Sequence, residues 1–435
     1  MRQTFRALSV RNYRRYASGA LVSNVGTWMQ RVAQDWLVLQ LSGGSGTALG
    51  ITTGLQFLPM LLLSPLAGLV ADRFSKQRVL IATQVAMAVP AIALGVLAIS
   101  GRAETWHVYV LALLFGVGTA FDAPARQSFV VEMVGHDDLT NAVGLNSASF
   151  NLARILGPAI AGLMIAALGS DAEATGWVIA LNGLSYFGVV GSLVSMRTAE
   201  LSPADPVGRG KGSVREGLRY VRSRPDLMLV LTVVFFVGTW GLNFQLTSAL
   251  MATEVFDKGA SEYGLLSSVM AVGSLAGALL AARRGRPTLR VVVGAAVAFC
   301  VTEIVAGLLP TYLTFTLWLP LLGLTALTVI TAANATMQLA VAPEMRGRVA
   351  ALYMMIFMGG TPIGAPILGW VGDAFGARWT LIGGGGVALL GTLVAAALYT
   401  RRHDLVVRAH LGRHPGFDVH PRVEPEASRS DSLVG

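Results

Sequence analysis

Long apolar segments recur along the whole chain, separated by short polar breaks. Each has about 20 residues or more, enough for a helix to cross the hydrocarbon core of a bilayer. Because only structures that satisfy every backbone hydrogen bond internally can span lipid, the sequence predicts an all-α polytopic membrane protein. Twelve predicted transmembrane helices, here called spans 1 to 12, lie at residues 15–41, 47–71, 79–99, 106–125, 139–168, 176–196, 227–252, 262–282, 290–309, 313–339, 347–370 and 379–400.

The positive charges are distributed unevenly between the two sides of the predicted membrane. With the N-terminus inside, 28 of the 33 lysines and arginines fall on the cytoplasmic side, three in outer loops and two within spans. The positive-inside rule therefore predicts cytoplasmic N- and C-termini and a multi-pass protein of the cell (inner or plasma) membrane. The net charge of +9 comes from basic residues that are concentrated on the cytoplasmic side of the membrane. Because membrane orientation accounts for this charge, no nucleic acid is expected as a partner.

Several classes of site are missing from the sequence. Cys300 is the only cysteine, and no histidine lies within a span, so neither a metal nor another cofactor is expected. No phosphate-binding G-x-x-x-x-G-K-S/T occurs, which excludes ATP-driven transport by this chain. The arginine-rich N-terminal segment is expected to flank span 1 rather than to be a cleaved signal peptide.

Two internal echoes indicate a duplicated unit. "VGTW" occurs at Val25–Trp28 and at Val237–Trp240, and "GPAIAGLMIAALG" (157–169) is echoed by "GAPILGWVGDAFG" (364–376) at a similar offset. Duplicated halves are typical of transporters, with the binding site between them. The predicted organisation is a six-helix bundle (1–196), a cytoplasmic loop with a short amphipathic helix on the membrane surface (197–226), a second six-helix bundle (227–400) and a disordered cytoplasmic tail (401–435).

The loop after span 2 carries a recognisable motif. "GLVADRFSKQR" (68–78) resembles the major facilitator superfamily signature G-x-x-x-D-R/K-x-G-R/K-R/K, with Ser75 in place of the turn glycine. The matching residues are Gly68, Asp72, Arg73 and Lys76, followed by Arg78. "SNVGTWMQ", "AFDAPARQSFV" and "NSASFNLARILGPAIAG" are similar to the branch that contains enterobactin (siderophore) exporters and drug-efflux proteins. The resemblance implies two six-helix bundles of the major facilitator fold.

In that superfamily the loop motif acts as a cytoplasmic latch. By resemblance, Asp72 is expected to face the amino end of span 11, near Gly347–Ala350, where a helix dipole favours an acid. Lys76 is expected to pair with Asp122 near the inner end of span 4. The alternative is that these basic residues only obey the positive-inside rule.

Span 5 contains "ARILGPAIAG", which is similar to the antiporter motif G-P-x-x-G-G. The matching residues are Gly157, Pro158 and Gly162, and Ala161 departs from the double glycine. Small residues allow close approach of two helices, and proline bends a helix. The motif therefore indicates tight helix packing, or a hinge between the halves, and the resemblance implies efflux.

Span 1 has a polar stripe. Asn24, Trp28, Arg31, Gln34 and Asp35 lie within about a third of the helix circumference. A charge in hydrocarbon costs about 3 kcal/mol, so the stripe should face water or protein. By resemblance, spans 1, 4, 7 and 10 line a central cavity, to which Asn243, Gln245, Asn334 and Gln338 are the expected counterpart contributions.

Arg31 and Asp35 are hypothesised to form an i,i+4 pair that responds to protons and substrate. The alternatives are a static ion pair, or Arg154 of span 5 as the partner of Asp35. For Glu303 in span 9, a structural or near-interface role is favoured.

These observations predict a monomeric secondary active transporter. We expect a proton-coupled exporter of bulky amphipathic molecules, such as drugs or siderophore-like compounds, because aromatic residues and methionines dominate the expected cavity. An importer of a small polar nutrient is the alternative. A membrane-embedded enzyme is the third possibility, and the absence of a nucleophile–base set disfavours it.

Overall fold

Long antiparallel helices make up most of the chain. The computed structural model describes residues 5–202, 214–283, 287–402, 405–410 and 416–421. The first half contains α1 (Arg11–Ser42), α2 (Gly46–Arg73), α3 (Lys76–Ile99), α4 (Thr105–Gly135), α5 (Asp137–Leu168) and α6 (Ala172–Val194). The short helix α7 (Val214–Arg222) precedes the second half, which contains α8 (Pro225–Val255), α9 (Ala260–Arg283), α10 (Leu289–Leu308), α11 (Tyr312–Ala340), α12 (Pro343–Phe375) and α13 (Arg378–Arg402).

Local sequence signals separate these helices. Gly43 adopts a left-handed conformation (φ +65°) directly after α1, where glycine carries no steric penalty. Gly135, at φ +68° and ψ −177°, separates α4 from α5, which would otherwise form one continuous helix of 64 residues. The Asp171 side chain accepts a hydrogen bond from the backbone N–H of Ala174 and so caps the start of α6.

Eleven of the helices in the described ranges are long and apolar enough to cross a membrane, and α1 is not among them. At 32 residues α1 is long enough, but polar side chains such as Arg31 and Asp35 reduce its apolar character. The prediction of an all-α polytopic membrane protein is confirmed. The number of twelve transmembrane helices stays a prediction.

The helices define two ends of the molecule. One end, called here the basic end, holds Arg11 at the start of α1, Arg73 at the end of α2 and Arg402 at the end of α13. The opposite end, called the far end, holds the α1–α2 turn at Gly43–Ser45 and the α12–α13 turn at Gly376.

Helix α8 is not regular along its length. Wide π-turns occupy Val237–Gly241 and Met251–Val255, and Leu242 and Asn243 leave the helical conformation between them. Irregular backbone at membrane depth occurs only where protein or a cavity covers it. Thr239 and Asn243 are accordingly buried, and the Asn243 amide donates a hydrogen bond to the Thr239 carbonyl at 2.8 Å.

The amphipathic helix predicted in the central loop is present as α7, and part of its apolar side packs on protein. Val221 is fully buried in the protein core, and Gly217 packs against Arg348 of α12. The placement of this helix at the membrane surface stays a prediction. Residues 203–213 of the predicted loop lie outside the described residues.

The predicted disorder of the tail 401–435 also needs correction. Leu405–His410 and Gly416–Pro421 pair as two antiparallel strands, β1 and β2. Both strands contain valines, whose branched side chains favour extended backbone. The remaining residues of the tail after Arg402 lie outside the described residues.

The first half contains a charge network at the basic end. Asp122 accepts hydrogen bonds from Arg126 Nε at 2.8 Å and from Gln84 at 2.8 Å. Lys76 instead pairs with Glu132, with 2.6 Å between Nζ and Oε1. The predicted Lys76–Asp122 pair is therefore wrong, because Arg126, one helical turn from Asp122, already neutralises that carboxylate.

Replacing Asp122 tests the importance of this network. Asp122→Ala leaves Arg126 with no counter-charge in a mostly buried position, which should cost about 3 kcal/mol of unfolding free energy. The matched control is Glu200→Ala, which breaks the exposed Arg197–Glu200 pair and should change stability little. Thermal unfolding of the purified variants in detergent checks both. Equal midpoints for the two variants would contradict the network's role.

Candidate functional site

A cavity of about 470 Å³ lies between the two halves. Helices α1, α2 and α5 line it from the first half, and α8, α9, α11 and α12 from the second. Much of its wall is aromatic or contains methionine, through Trp28, Phe57, Phe150, Phe244, Met270, Phe357 and Met358. Such a wall suits a ligand with a bulky apolar body.

Six of the predicted site residues line this cavity, namely Trp28, Arg31, Arg154, Pro158, Asn243 and Gln245. The close crossing of α1 and α5 positions the first three. A Cβ atom on Gly157 would lie 2.5 Å from Trp28 Cβ, so this position of the predicted antiporter-like motif has no room for a side chain. Trp28 also packs edge-on against Phe150, with 5.7 Å between ring centroids.

Five residues predicted for the cavity are absent from its described wall: Asn24, Gln34, Asp35, Asn334 and Gln338. Gln34 is buried and donates a hydrogen bond to Gln56 of α2 at 2.8 Å. Asn334 and Gln338 bond to each other at 3.0 Å, beyond the cavity-lining Ile330 toward the basic end. Asn334 lies on the same face of α11 as Ile330, but one helical turn closer to the basic end. The predicted face was therefore suitable, and the predicted position along the helix was not.

Arg31 lies against aromatic rings rather than against Asp35. Its guanidinium carbon is 4.6 Å from the ring centre of Trp28 and 5.8 Å from that of Phe57. Among the described residues no ion pair within 4.0 Å joins Arg31 to Asp35. The predicted i,i+4 pair is not formed, because Arg31 lies over the Trp28 ring and Asp35 is hydrogen-bonded to Tyr263.

Asp35 is bonded to the other half of the molecule. Its side chain is 5% exposed, and Oδ2 accepts a hydrogen bond from the hydroxyl of Tyr263 at 2.7 Å. Tyr263, in α9, is fully buried and also lies 3.3 Å from the carbonyl oxygen of Gln245. Arg154 is not the partner of Asp35 either, since its Nη2 donates to Asn151 at 3.0 Å. The buried Asp35–Tyr263 bond thus connects α1 to α9.

Close backbone contacts join the halves toward the far end. On one side, Gly46 and Gly50 of α2 pack against Gly369 and Ala365 of α12. On the other side, the predicted motif residues Pro158 and Gly162 of α5 pack against Gly264 and Ala260 of α9. A Cβ atom on Gly162 would lie 2.5 Å from the Ala260 carbonyl oxygen, so only glycine fits there without displacement.

Asp373, near the end of α12, strengthens the far-end contact. Its carboxylate accepts hydrogen bonds from the backbone N–H of Gly46 at 2.6 Å and of Thr47 at 2.9 Å, and from the Ser45 hydroxyl at 3.0 Å. These groups form the amino end of α2, where the helix dipole favours a negative charge. An acid of the second half therefore caps a helix of the first half.

Sequence reasoning missed both Asp373 and Tyr263, although a signal for each exists. "GWVGDAFG" (369–376) repeats the glycine, valine, aspartate and phenylalanine of "GLVADRFS" (68–75) at the same spacing. The acid of the second copy is Asp373, as Asp72 is that of the first. Tyr263 is the only tyrosine in the otherwise largely apolar α9.

In the loop motif at the basic end, Lys76 pairs with Glu132, but the expected contact of Asp72 is not formed. Asp72, Arg73 and Arg78 are exposed, and a Cβ atom on Gly68 would meet no other atom within 4 Å. Asp72 makes no hydrogen bond to any described residue, and Gly347 at the expected partner helix also faces open space. The expected contact of Asp72 with this helix is absent, because the halves approach each other toward the far end instead.

Glu303 lies away from the cavity wall. It is fully buried in α10, and its carboxylate has no hydrogen-bond partner in the described part of the chain. A Cβ atom on Gly241 or Gly385 would lie 3.0 or 3.3 Å from Oε2, so these two glycines make room for the carboxyl group. The structural role of Glu303 stays a prediction.

A family model described as transmembrane secretion effector matches residues 3–426. The chain belongs to this family of major facilitator transporters. Multidrug efflux pump Tap of Mycolicibacterium fortuitum is 30% identical over 377 residues, covering 83% of this chain and 90% of that protein. Macrolide efflux protein A of Streptococcus pyogenes is 24% identical over 357 residues, covering 78% and 85%.

Among solved structures, a bacterial homologue of the human lysosomal transporter Spinster has the same fold. Its TM-score is 0.65 at 16% identity, covering 88% of this chain and 96% of that one. The predicted membership of the major facilitator superfamily is therefore confirmed. The relatives are transport proteins, so the prediction of a transporter rather than an enzyme is also confirmed.

Removing the Asp373 carboxylate should loosen the far end. Asp373→Ala loses a charge-assisted cap and should shift the equilibrium toward an open far end by about 1–2 kcal/mol, a factor of roughly 5 to 30. The measurement is the distance between spin labels at exposed far-end positions of the two halves, Arg102→Cys and Trp379→Cys. Asp171→Ala is the matched control, since it removes a cap on Ala174 within one half. An unchanged distance distribution in Asp373→Ala would contradict the assignment.

Proposed function

We propose that the protein is a proton-coupled exporter of bulky amphipathic small molecules that works by alternating access. The relatives named as efflux pumps support the direction of transport. The aromatic and methionine-rich cavity supports the class of substrate. One chain supplies both walls of the cavity, which supports action as a monomer.

The proposal rests on the buried hydrogen bond between Asp35 and Tyr263. This bond joins the halves on the far-end side of the cavity, so opening the far end separates α1 from α9 and breaks it. A ligand shifts a conformational equilibrium only if it binds the two states differently. Asp35 fulfils this condition for the proton as ligand. Water reaches its carboxyl group in one conformation and not in the other, so the affinity for the proton differs between the two.

We take the basic end as the cytoplasmic side, with both termini there, and α1 as the twelfth transmembrane helix. The concentration of lysine and arginine at this end supports the orientation. The burial of Asp35 and Gln34 within the bundle supports a spanning α1 despite its polar side chains. In this orientation the described contacts close the outer side of the cavity.

The cycle then follows from the cost of burying charge. With the far end open, Asp35 takes up a proton from outside, and the neutral acid is buried at lower cost than a carboxylate when the far end closes. Tyr263 then donates its hydroxyl to Asp35, and this bond offsets part of the cost of burying the carboxylate once the proton leaves toward the cavity at Arg31. Substrate entering from the cytoplasm binds in the cavity, and reopening of the far end exports it.

Import of a small polar nutrient is the competing function. Such a cavity would offer several paired carboxylates and amides, as expected for a polar solute. The described wall has only Asn243 and Gln245 as amide side chains and no carboxylate. These features favour an amphipathic substrate and therefore the exporter.

Replacing Asp35 tests the coupling. Asp35→Asn keeps an acceptor for Tyr263 but cannot carry a proton, so proton-driven export should fall about tenfold or more while substrate binding persists. Export is measured as uptake of a fluorescent drug into inverted membrane vesicles with an imposed pH gradient. Wild-type uptake that survives a protonophore, or full uptake by Asp35→Asn, would refute proton coupling through this residue.

Removing one hydroxyl tests the conformational role of the bond. Tyr263→Phe leaves the buried Asp35 without its donor and should destabilise the closed far end by about 1.5–3 kcal/mol. Tyr312→Phe is the matched control, because that hydroxyl bonds the Glu262 carbonyl within the second half. The far-end label distance defined above should lengthen only in Tyr263→Phe. Identical distributions in both variants would remove this bond from the mechanism.

A further inference from the structure

The charges on the cavity wall have one sign. Two arginines, Arg31 and Arg154, line the cavity, and the described wall contains no aspartate or glutamate. Asp35 is absent from the wall and is bonded to Tyr263. The cavity between the halves is therefore positively charged.

Neither guanidinium forms an ion pair within 4.0 Å with a described residue. Arg31 lies over the faces of Trp28 and Phe57, and its buried Nε has no hydrogen-bond partner among the described residues. Arg154 donates from Nη2 to the neutral amide oxygen of Asn151, and its Nε is likewise buried without a partner in the described ranges. Both side chains keep donors that an incoming acceptor can use.

Both arginines lie near the crossing of α1 and α5, where Gly157 packs against Trp28. Arg31 follows Trp28 by three residues on α1, and Arg154 follows Phe150 by four on α5, so each pair shares a helix face. The Trp28 and Phe150 rings are in contact, which places both arginines beside the same aromatic pair. This arrangement offers positive charge and flat apolar surface side by side.

Burying a charge without a partner is costly, and a guanidinium binds planar or tetrahedral oxyanions through paired N–H donors. We propose that the substrates are amphipathic organic anions, whose carboxylate, sulfonate or phosphate group binds between Arg31 and Arg154. The apolar body of the substrate packs against Phe57, Met270 and Phe357. This inference rests on the exporter function proposed above and narrows its substrate class.

The same charges act against cationic drugs. A lipophilic cation in this cavity gains contacts with the aromatic rings but is repelled by two arginines, and Arg31 already occupies the faces of Trp28 and Phe57. Selectivity should therefore follow ligand charge at constant size.

The test compares two xanthene dyes of similar size and opposite charge. Binding of carboxyfluorescein, an anion, and of rhodamine 123, a cation, to the purified full-length protein is measured by fluorescence anisotropy. Carboxyfluorescein should bind about tenfold or more tightly than rhodamine 123, as expected for a charge-assisted hydrogen bond. Arg31→Gln and Arg154→Gln should each weaken its binding about tenfold, and Arg31→Lys should restore part of it. Arg197→Gln, an exposed position outside the cavity, should leave binding unchanged.

Each outcome decides the inference. Equal binding of the two dyes, tighter binding of rhodamine 123, binding of neither dye, or no effect of the cavity substitutions would overturn it. Transport is measured separately, as gradient-driven uptake of both dyes into inverted vesicles. Rhodamine 123 uptake that is unaffected by Arg31→Gln and Arg154→Gln would leave the export function standing and overturn only the anionic class. Tight arginine-dependent binding of carboxyfluorescein without driven uptake of either dye would instead count against export.

Discussion

Hydrocarbon neither solvates a charge nor supplies hydrogen bonds. In α1, proposed above as the twelfth transmembrane helix, the polar side chains turn inward. Arg31 lies over aromatic rings at the cavity, Gln34 bonds to α2, and Asp35 bonds to Tyr263 of the other half. The same helix therefore contributes to the cavity and to the contact that closes it. A change of charge on α1 therefore affects both the cavity and the contact between the halves.

The contact between the halves combines two kinds of interaction. Gly46 against Gly369 and Gly162 against Ala260 bring backbones together with few interlocking side chains. Between membrane helices such contacts are stabilised by packing, because lipid supplies no hydrophobic force for association. The hydrogen bonds of Asp35 and Asp373 add directional interactions to this contact between backbones. An interface of this kind can separate and re-form without repacking a core.

The membrane made much of the fold predictable, because lipid permits few structures besides helices of about 20 residues. The polar face of α1 and the small residues of α5 were equally visible in the sequence. Partners were not. Lys76 pairs with Glu132 because Arg126 already neutralises Asp122, and Tyr263 lies 228 residues from Asp35. Such choices depend on which helices meet and at what height. The one-turn error at Asn334 has the same origin.

Asp373 and Asp35 hold the same side of the molecule closed from very different surroundings. Asp373 is exposed, so dissolved ions within a Debye length of about 8 Å can screen its attraction to the amino end of α2. Asp35 and Tyr263 are buried, where ions do not reach. In the orientation proposed above, in which the far end faces the outside, salinity of the medium would loosen the Asp373 contact and leave the Asp35–Tyr263 bond intact. The balance between the two proposed states would then depend on the habitat as well as on the cargo.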